Sequence, residues 1–402
     1  MDSISQVVLG AAIGEVVLGK KLGNKAVSWG ALGGTIPDLD VITSPLMSEI
    51  DALIFHRGLS HSIFFAVFGG MGFGWLIHRL YDSNYYRKVL WLFLSLFVSC
   101  IPISVIFFLF GPDAYKYYYV GAAILLAALI FYFIHQRRAA LPIPKIDNPN
   151  CYAWQWMFFL AFFTHALLDC FTMYGTQLFL PFSDYRVAFA TIAVADPLGY
   201  TLPFLICLLL AMRFPKEKIS RRRWAWAGIM ISSCYLLFTV WNKERVFKEF
   251  DLQLTEQNIS YDRYTLGPYI FSNILWSIVV ENEDTYYHAA YSLFDESPIE
   301  FLPIPKNHHL LKDGAEDKTI QTLKWFTNDF YNVMERSDGT LQFNDLRFGT
   351  FRQQGDIKDF IFRFLLIKEK GKSYQMVSTI GGPEEENISS LFRDLFTRIR
   401  GR

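Results

Sequence analysis

Ionisable residues that can bind a metal ion concentrate at the edges of apolar segments in two parts of this sequence. In the first part, Asp38 and Asp40 follow Pro37, and His56 and His61 come shortly after them. Charged and imidazole side chains are costly in or beside a membrane, so residues of this kind are functional candidates there. These four side chains are the first candidates for a metal site.

The second part contains His165 and Asp169, which share one helical face because they are four residues apart. Three histidines and three aspartates offer the mixed nitrogen and oxygen ligands that suit Zn²⁺, Mn²⁺ or Fe²⁺, with enough groups for two ions. Such ions polarise phosphoryl oxygens and activate water, so the expected chemistry is hydrolysis. The candidate ligands are Asp38, Asp40, His56, His61, His165 and Asp169.

Three further residues are candidates for the same site. Arg57 and Ser60 lie between the two histidines of the first part, and we expect them to position substrate, with Arg57 able to bind a phosphate through two hydrogen bonds. Glu15 is the one charge inside the first apolar segment. It either faces the cavity as a metal ligand or reaches toward the inner interface beside Lys20.

The composition indicates a membrane protein. Of 402 residues, 52% are hydrophobic and 19% are charged, which is too apolar for an ordinary soluble protein. We therefore expect membrane lipids as partners. The formal net charge is zero, which gives no argument for a nucleic-acid partner, and the five cysteines lack zinc-finger spacing.

The apolar segments predict a helical membrane domain over residues 1–242, with seven or eight segments. In the first, residues 4–19, Gly10 and Gly14 have the spacing that lets helices approach closely. Residues 26–36 are too short to span alone, and they predict a short or re-entrant helix that ends at Pro37. Further spans are predicted near 59–80, 89–110, 117–135, 153–171, 197–213 and 224–241.

Lysine and arginine are concentrated in alternate loops, and basic loops face the cytoplasm. If residues 26–36 cross the membrane or nearly do so, the alternation is regular. The N-terminus, the loop from Asp38 to His61, the end of span 153–171 and residues 243–402 then lie outside. This orientation places both parts of the candidate site on one side of the membrane.

Residues 243–402 are richer in charge, and they predict a soluble extracytoplasmic α+β domain. The fold class is therefore mainly α, with a polytopic helical membrane domain followed by this smaller domain. Apolar alternation predicts two β-hairpins, and helical spacing of apolar residues predicts two helices. The predicted hairpins are 273–281 with 285–294 and 360–367 with 373–378, and the predicted helices are 318–336 and 384–400.

Three motifs resemble those of the bacterial YdjM-like inner-membrane proteins, which are called membrane-bound metal-dependent hydrolases. They are the Pro-Asp-x-Asp loop at 37–40, the His-Arg-Gly-Leu-Ser-His-Ser run at 56–62, and a segment from His165 through Asp169, Thr172 and Gly175 to Pro181. Ser60 replaces the family's threonine and keeps the hydroxyl. Many members also carry a histidine in the first segment, where this chain has Gln6. The resemblance covers roughly residues 1–240, and it implies a bacterial inner-membrane protein.

The sequence thus predicts a metal-dependent hydrolase, using Zn²⁺ or Mn²⁺ at the outer membrane interface. A phosphoester or a lipid-linked or envelope substrate fits that location. Two alternatives stay open. A transporter or channel would also have buried polar groups and a broken helix, and in a membrane scaffold the metal would be structural and the outer domain would bind a partner.

Overall fold

The computed structural model of the protein describes residues 1–82, 148–283, 285–314, 316–350, 360–368, 373–379 and 388–401. The spans predicted near 89–110 and 117–135 lie outside these residues. The chain divides into two compact units, one formed by Met1–Gly70 with Met157–Arg402 and the other by Met71–Trp156. All candidate site residues belong to the first unit.

Helices α1 (Ser3–Leu22) and α2 (Asn24–Thr35) pack backbone to backbone. A Cβ atom at Gly10 would collide with the carbonyl oxygen of Gly30, and one at Gly14 would collide with that of Ala26. The predicted close approach at these glycines is therefore confirmed. It holds the end of α2, from which the candidate loop leaves, against the first helix.

Among the described residues, four helices are long and apolar enough to cross a membrane: α1, α4 (Ile63–Asp82), α5 (Cys151–Cys170) and α7 (Ile219–Glu256). They lie where spans were predicted. Helix α6 (Leu202–Met212) follows a π-helical turn, and the apolar segment Pro197–Met212 is shorter than a full span. Asp196 caps that turn by accepting a hydrogen bond from the Gly199 amide at 2.9 Å, as its position before Pro197 predicts.

In the unit Met71–Trp156, Asn148 joins the described ends of α4 and α5. Its amide nitrogen donates to Asp82 Oδ1 at 2.6 Å, and its oxygen accepts from the Trp154 indole at 3.1 Å. His78 lies near the Pro149 carbonyl oxygen, at 3.1 Å. This histidine therefore serves the local packing of its own unit.

Helix α7 continues beyond residue 242, where the sequence predicts the domain boundary. Its last turns carry Val246, Phe250 and Leu254, which pack in one buried cluster with Trp276 and Ile278 of the C-terminal sheet. An apolar helix that extends from a candidate span into this cluster buries large side chains on the sheet. The predicted boundary thus falls inside a continuous helix.

The described residues of the C-terminal region form two four-stranded antiparallel sheets, ordered β1-β2-β3-β4 and β5-β6-β7-β8. Both predicted hairpins are confirmed, as β2 pairs with β3 and β7 pairs with β8. The strands are β1 (Arg263–Pro268), β2 (Leu275–Glu281), β3 (Thr285–Ser292), β4 (Leu302–Pro305), β5 (Tyr331–Glu335), β6 (Leu341–Thr350), β7 (Phe360–Ile367) and β8 (Gln375–Thr379).

The helix predicted over 318–336 is wrong in its second half. Helix α8 spans Lys318–Thr327 and ends at Asn328, which adopts the left-handed conformation with φ of 52°. Asparagine tolerates this conformation and so terminates helices. Of the apolar residues after it, Tyr331, Val333 and Met334 belong to β5, where Val333 pairs with Phe343. The helix predicted at 384–400 is found as α9 (Ile388–Ile399).

A short helix that the sequence did not predict, α3 (Glu49–Phe55), connects the candidate loop with the C-terminal region. Its Ile50 packs in a buried cluster with Leu323 and Phe326 of α8. Lys318 Nζ lies 2.8 Å from Asp51 Oδ1 at the edge of this contact. The loop that carries the candidate ligands is thus anchored to the C-terminal region.

Candidate metal centre

Three separate elements bring candidate ligands together. Asp38 lies in a 3₁₀ segment, Pro37–Leu46, which the proline begins directly after α2. His61 ends the short 3₁₀ turn Leu59–His61, just before α4. His165 and Asp169 project from the last turns of α5, one turn apart as predicted.

Ligand atoms from these four residues all lie within 4.8 Å of one another. The Nε2 atoms of His61 and His165 are 3.1 Å apart. Asp38 Oδ1 is 3.3 Å from Nε2 of His61 and 3.4 Å from Nε2 of His165. Asp169 Oδ2 completes the group, at 3.4 Å and 3.6 Å from the same two nitrogens.

Hydrogen bonds on the far side of each ring fix where the imidazole protons lie. His165 Nδ1 is 2.7 Å from the Gly34 carbonyl oxygen, to which it can only donate. His61 Nδ1 is 3.0 Å from Ser60 Oγ, whose own proton goes to Asp40 Oδ2 at 3.1 Å, so His61 Nδ1 is also the donor. In the neutral rings both Nε2 atoms therefore present lone pairs.

Two imidazole lone pairs and two carboxylate oxygens thus converge. Asp169 Oδ2 is buried and accepts no hydrogen bond from any described residue. Four acceptors at this distance repel one another unless a cation or protons lie between them. Two histidines and two aspartates match the ligand set of a divalent transition metal, and each ring is oriented through its other nitrogen as in known metal sites. The donor set therefore fits a metal ion.

Asp40 supports this group from outside. Its Oδ1 is 3.0 Å from Nδ1 of His56, and its Oδ2 accepts from Ser60 Oγ and, at 3.2 Å, from the Arg57 amide. The structure thus pairs Asp40 with His56 and does not bring either into the group of four. Ser60, expected to position substrate, instead lies between Asp40 and His61.

Arg57 adopts a left-handed backbone conformation with φ of 57°, which is uncommon for a non-glycine residue. Its amide is held by Asp40, and its carbonyl oxygen accepts from the Gln177 amide at 3.0 Å. Strain of this kind persists where the surroundings enforce it, and it clusters at functional sites. The bend directs the Arg57 guanidinium toward Asp169, whose Oδ1 is 3.4 Å from Nη2.

The two carboxylate oxygens of Asp169 have different surroundings: Oδ1 accepts hydrogen bonds from neighbouring groups, and Oδ2 faces the two histidines of the candidate metal centre. Gln6 Nε2 donates to Oδ1 at 3.1 Å, and the Met1 amino group also contacts it. Arg57 Nη1 donates to Thr172 Oγ1 at 2.7 Å. Gln6 thus serves as a hydrogen-bond donor to a candidate ligand.

Glu15 has a different partner. Arg221 donates to its carboxylate from Nε at 2.7 Å and from Nη2 at 2.5 Å, and Arg221 Nη1 donates to Asn24 Oδ1 at 2.8 Å. Both members of this pair are buried. The structure therefore satisfies Glu15 with an ion pair and does not bring it to the group of four.

The electrostatics outside the spans favour the metal-binding forms of the ligands. Burial raises the pKa of the Asp38 carboxyl, but His165 and His61 beside it outweigh burial and hold that pKa well below its usual range. Burial lowers the pKa of His61. At neutral pH Asp38 is thus ionised, and the lowered pKa of His61 makes it easier for a metal ion to displace a proton from its ring, as coordination requires.

Comparison with known proteins identifies a family that this chain matches. No curated protein and no solved structure matches the chain. The family described as "YdjM inner membrane protein" matches residues 1–107 and 120–246. These ranges include all four residues of the cluster, and the two C-terminal sheets lie beyond them. More than half of the chain is covered, and the family agrees with the resemblance seen in the three motifs. The chain belongs to the YdjM inner membrane protein family.

Proposed function

We propose that the protein is a membrane-bound metal-dependent hydrolase, with Zn²⁺ or Mn²⁺ held by Asp38, His61, His165 and Asp169. The observation that carries this proposal is the convergence of two bare Nε2 atoms, 3.1 Å apart, with two carboxylate oxygens. A divalent cation bound there would supply polarisation of an ester oxygen and acidification of water. One ion satisfies these four groups.

The exposure of the ligands supports a catalytic site over a closed structural one. Catalytic metal sites keep one side open, whereas structural sites are enclosed by protein. The side chains of His61, His165 and Asp169 are almost fully buried, but that of Asp38 is 20% exposed. Substrate would therefore approach from the side of Asp38.

We place the site at the outer membrane interface and assign it a phosphoester on a lipid-linked or envelope substrate. The 3₁₀ segment that carries Asp38 also exposes Leu39, Val41, Ile42 and Leu46, the last at 87%. Exposed apolar side chains in a segment that precedes a candidate span favour contact with lipid. The distribution of lysine and arginine supports the outer side.

Arg57 provides the contact with the substrate's anionic group in this proposal. Its guanidinium already lies beside Asp169, and its planar fork suits a phosphate. Ser60 and Asp40 act by orienting His61. His56, whose side chain is 29% exposed, lies on the open side of Asp40.

Metal content of the purified full-length protein in detergent tests this proposal. We expect near-stoichiometric Zn²⁺ or Mn²⁺ in wild type and its loss in both His61→Ala and Asp169→Ala, because each removes one of four ligands. The matched controls are His309→Ala and Asp184→Ala, which change exposed residues. A folded wild type that takes up neither metal would contradict the proposal, and turnover of phosphoester substrates by the loaded protein is the next measurement.

A structural metal in a membrane scaffold is the second candidate function. The observation that favours it is the contact of Arg57 with the Tyr174 ring, whose edge packs on Phe326 of α8, so that the centre is joined to the C-terminal region. In a scaffold, His61→Ala would lower the thermal midpoint, and the metal-loaded wild type would hydrolyse no phosphoester. Turnover that His61→Ala abolishes favours the hydrolase.

A further inference from the structure

Tyr174 lies between the metal centre and the C-terminal region, and two arginines contact its ring. The guanidinium carbons of Arg57 and Arg186 are each 4.7 Å from the ring centroid. The ring of His56 also packs against Tyr174, with centroids 5.6 Å apart. Arg57 and Arg186 therefore contact the same ring, that of Tyr174, close to the candidate ligands.

The position of Arg186 is fixed from several directions. Its Nε and Nη2 donate to the Tyr174 carbonyl oxygen at 3.2 Å and 2.9 Å, and Nη2 also donates to that of Gly175 at 3.1 Å. Its guanidinium lies 5.2 Å from the ring centroid of Trp325 and 5.0 Å from that of Phe326. Helix α8 of the C-terminal region therefore helps to hold this cation in place.

Each of the two guanidinium groups at Tyr174 has a buried N–H donor for which no described residue provides an acceptor. Among the described residues, no carboxylate forms an ion pair with Arg186, and its Nη1 is buried without a hydrogen-bond partner. Nε of Arg57 is likewise buried without a hydrogen-bond partner. A buried N–H group without an acceptor costs about 1–3 kcal/mol, and more when it is charged. Two such donors on guanidinium groups that contact one ring indicate an anionic ligand with several oxygens.

Arg186 keeps its charge despite this environment. Burial lowers the pKa of Arg186 to about 10, while Tyr174 opposes the decrease. At neutral pH the guanidinium is therefore protonated. The guanidinium of Arg347 lies 5.3 Å from the ring centroid of Phe326, but it pairs with Asp345 at 2.6 Å and so is not part of this arrangement.

We infer that Arg186, together with Arg57, binds the phosphoryl group of the substrate beside the metal centre. This inference rests on the proposed function and deepens it, because it selects substrates that carry a phosphate with at least two free oxygens. It also gives the C-terminal region a role, since Trp325 and Phe326 position Arg186. The interaction is binding only, with no covalent step.

The test measures binding of inorganic phosphate to the metal-loaded full-length protein in detergent, by titration calorimetry, together with metal content. For Arg186→Gln we expect the phosphate Kd to rise roughly 10- to 100-fold, the effect of losing a charge-assisted hydrogen bond, with metal content unchanged. Arg186→Lys keeps the charge but not the fork, so its Kd should be intermediate. Arg222→Gln, at an exposed arginine of α7, is the matched control and should bind as wild type.

Two outcomes would overturn the inference. In the first, Arg186→Gln binds phosphate with the same Kd as wild type but unfolds at a lower temperature. Arg186 would then only stabilise the turn at Tyr174 and Gly175. The other is a wild-type thermal midpoint that does not respond to millimolar phosphate, a measurement that needs no variant. Absence of metal from wild type is a separate readout and would count against the proposed function. Competition between inorganic phosphate and a short-chain phosphatidic acid shows whether the site prefers a phosphate on a lipid or a free phosphate. Binding of either one at Arg186 supports the inference.

Discussion

Two buried clusters of polar side chains in the helical region differ in how their charges are balanced. In one, Arg221 donates hydrogen bonds to both oxygens of the Glu15 carboxylate and a third to Asn24 Oδ1. In the other, the Nε2 atoms of His61 and His165 face each other and two carboxylates. The first cluster is complete within the chain, whereas the second has more acceptors than protons.

This difference shows which buried charges indicate a ligand. An ionisable residue in an apolar segment is costly wherever it occurs, and Glu15 and Asp169 look equally unusual in the sequence. Only the count of donors and acceptors around each separates them. The pair of Glu15 and Arg221 needs no ligand because its partners lie within the chain, but a surplus of acceptors requires protons or a cation between them.

Breaking the balanced cluster gives the largest expected effect on stability. In Arg221→Met, the Glu15 carboxylate stays buried without its partner, which costs about 3–5 kcal/mol of unfolding free energy. The protein that remains folded should keep its metal, because Arg221 touches none of the four ligands. Unfolding by SDS titration in mixed micelles measures the first quantity, and metal analysis of the folded fraction measures the second.

The double variant Glu15→Leu with Arg221→Met sharpens this result. Replacing both members of a buried ion pair by apolar residues is often neutral or stabilising, so the double variant should recover most of the stability lost in Arg221→Met. Loss of metal from the double variant would contradict our separation of the two clusters.

Removing the metal tests the other side of the comparison. With free cation at roughly 100 times its Kd, binding to the folded state stabilises by about 2.7 kcal/mol, and a chelator should remove that amount from wild type. Asp169→Asn lacks one ligand, so its thermal midpoint should hardly change with chelator. Equal sensitivity of the two proteins would show that the stabilising ion binds elsewhere.

His288 provides a third kind of buried titratable group, one with a neutral partner. It lies in β3 with Nε2 3.2 Å from Ser277 Oγ, and burial lowers its pKa to about 4. The unfolded chain, with a histidine pKa of about 6.5, binds the proton first. Stability is therefore full above pH 6.5 and is lost as the pH falls toward 4.

From this shift we expect His288 to cost about 2 kcal/mol of unfolding free energy between pH 7 and pH 5. The measurement is the pH dependence of unfolding in wild type beside His288→Gln, which cannot titrate in this range. The variant should lose less stability on acidification by that amount. Parallel curves for the two proteins would rule out His288 as the source.

Much of the fold could be predicted from the sequence because its patterns are local. The length of the apolar segments predicts α1, α4, α5 and α7, and the glycine spacing predicts the contact of α1 with α2. The predicted helix at 318–336 is wrong beyond Thr327 because Phe326, Phe330 and Val333 continue the helical spacing of apolar residues, although the chain after Phe330 forms β5. The left-handed residue Asn328 ends the helix, and its backbone conformation is not written in the apolar pattern.

The four residues that converge at the candidate site were among those predicted from the sequence, whereas the contacts around them were not. Pairs close in sequence, such as His165 and Asp169, and the motif residues Asp38 and His61 were found. The pairing of Asp40 with His56 was not, because residue type alone does not say which aspartate faces the centre. Arg186 and Tyr174 were not predicted as site residues, because their contacts with α8 join segments more than a hundred residues apart.

The smallest expected effect concerns the hydroxyl that links the two layers of the site. Ser60 Oγ accepts from His61 Nδ1 and donates to Asp40, so it selects the tautomer that frees His61 Nε2. Loss of such an outer contact typically lowers metal affinity by about 10-fold or more. We expect this decrease in Ser60→Ala, measured by competition with a chromophoric chelator. Ser60→Thr keeps the hydroxyl, so it should bind metal as wild type does. If Ser60→Ala also bound metal as wild type does, packing alone would orient the ring of His61. The count of donors and acceptors that distinguishes this cluster from the pair of Glu15 and Arg221 would then not depend on the Ser60 hydroxyl.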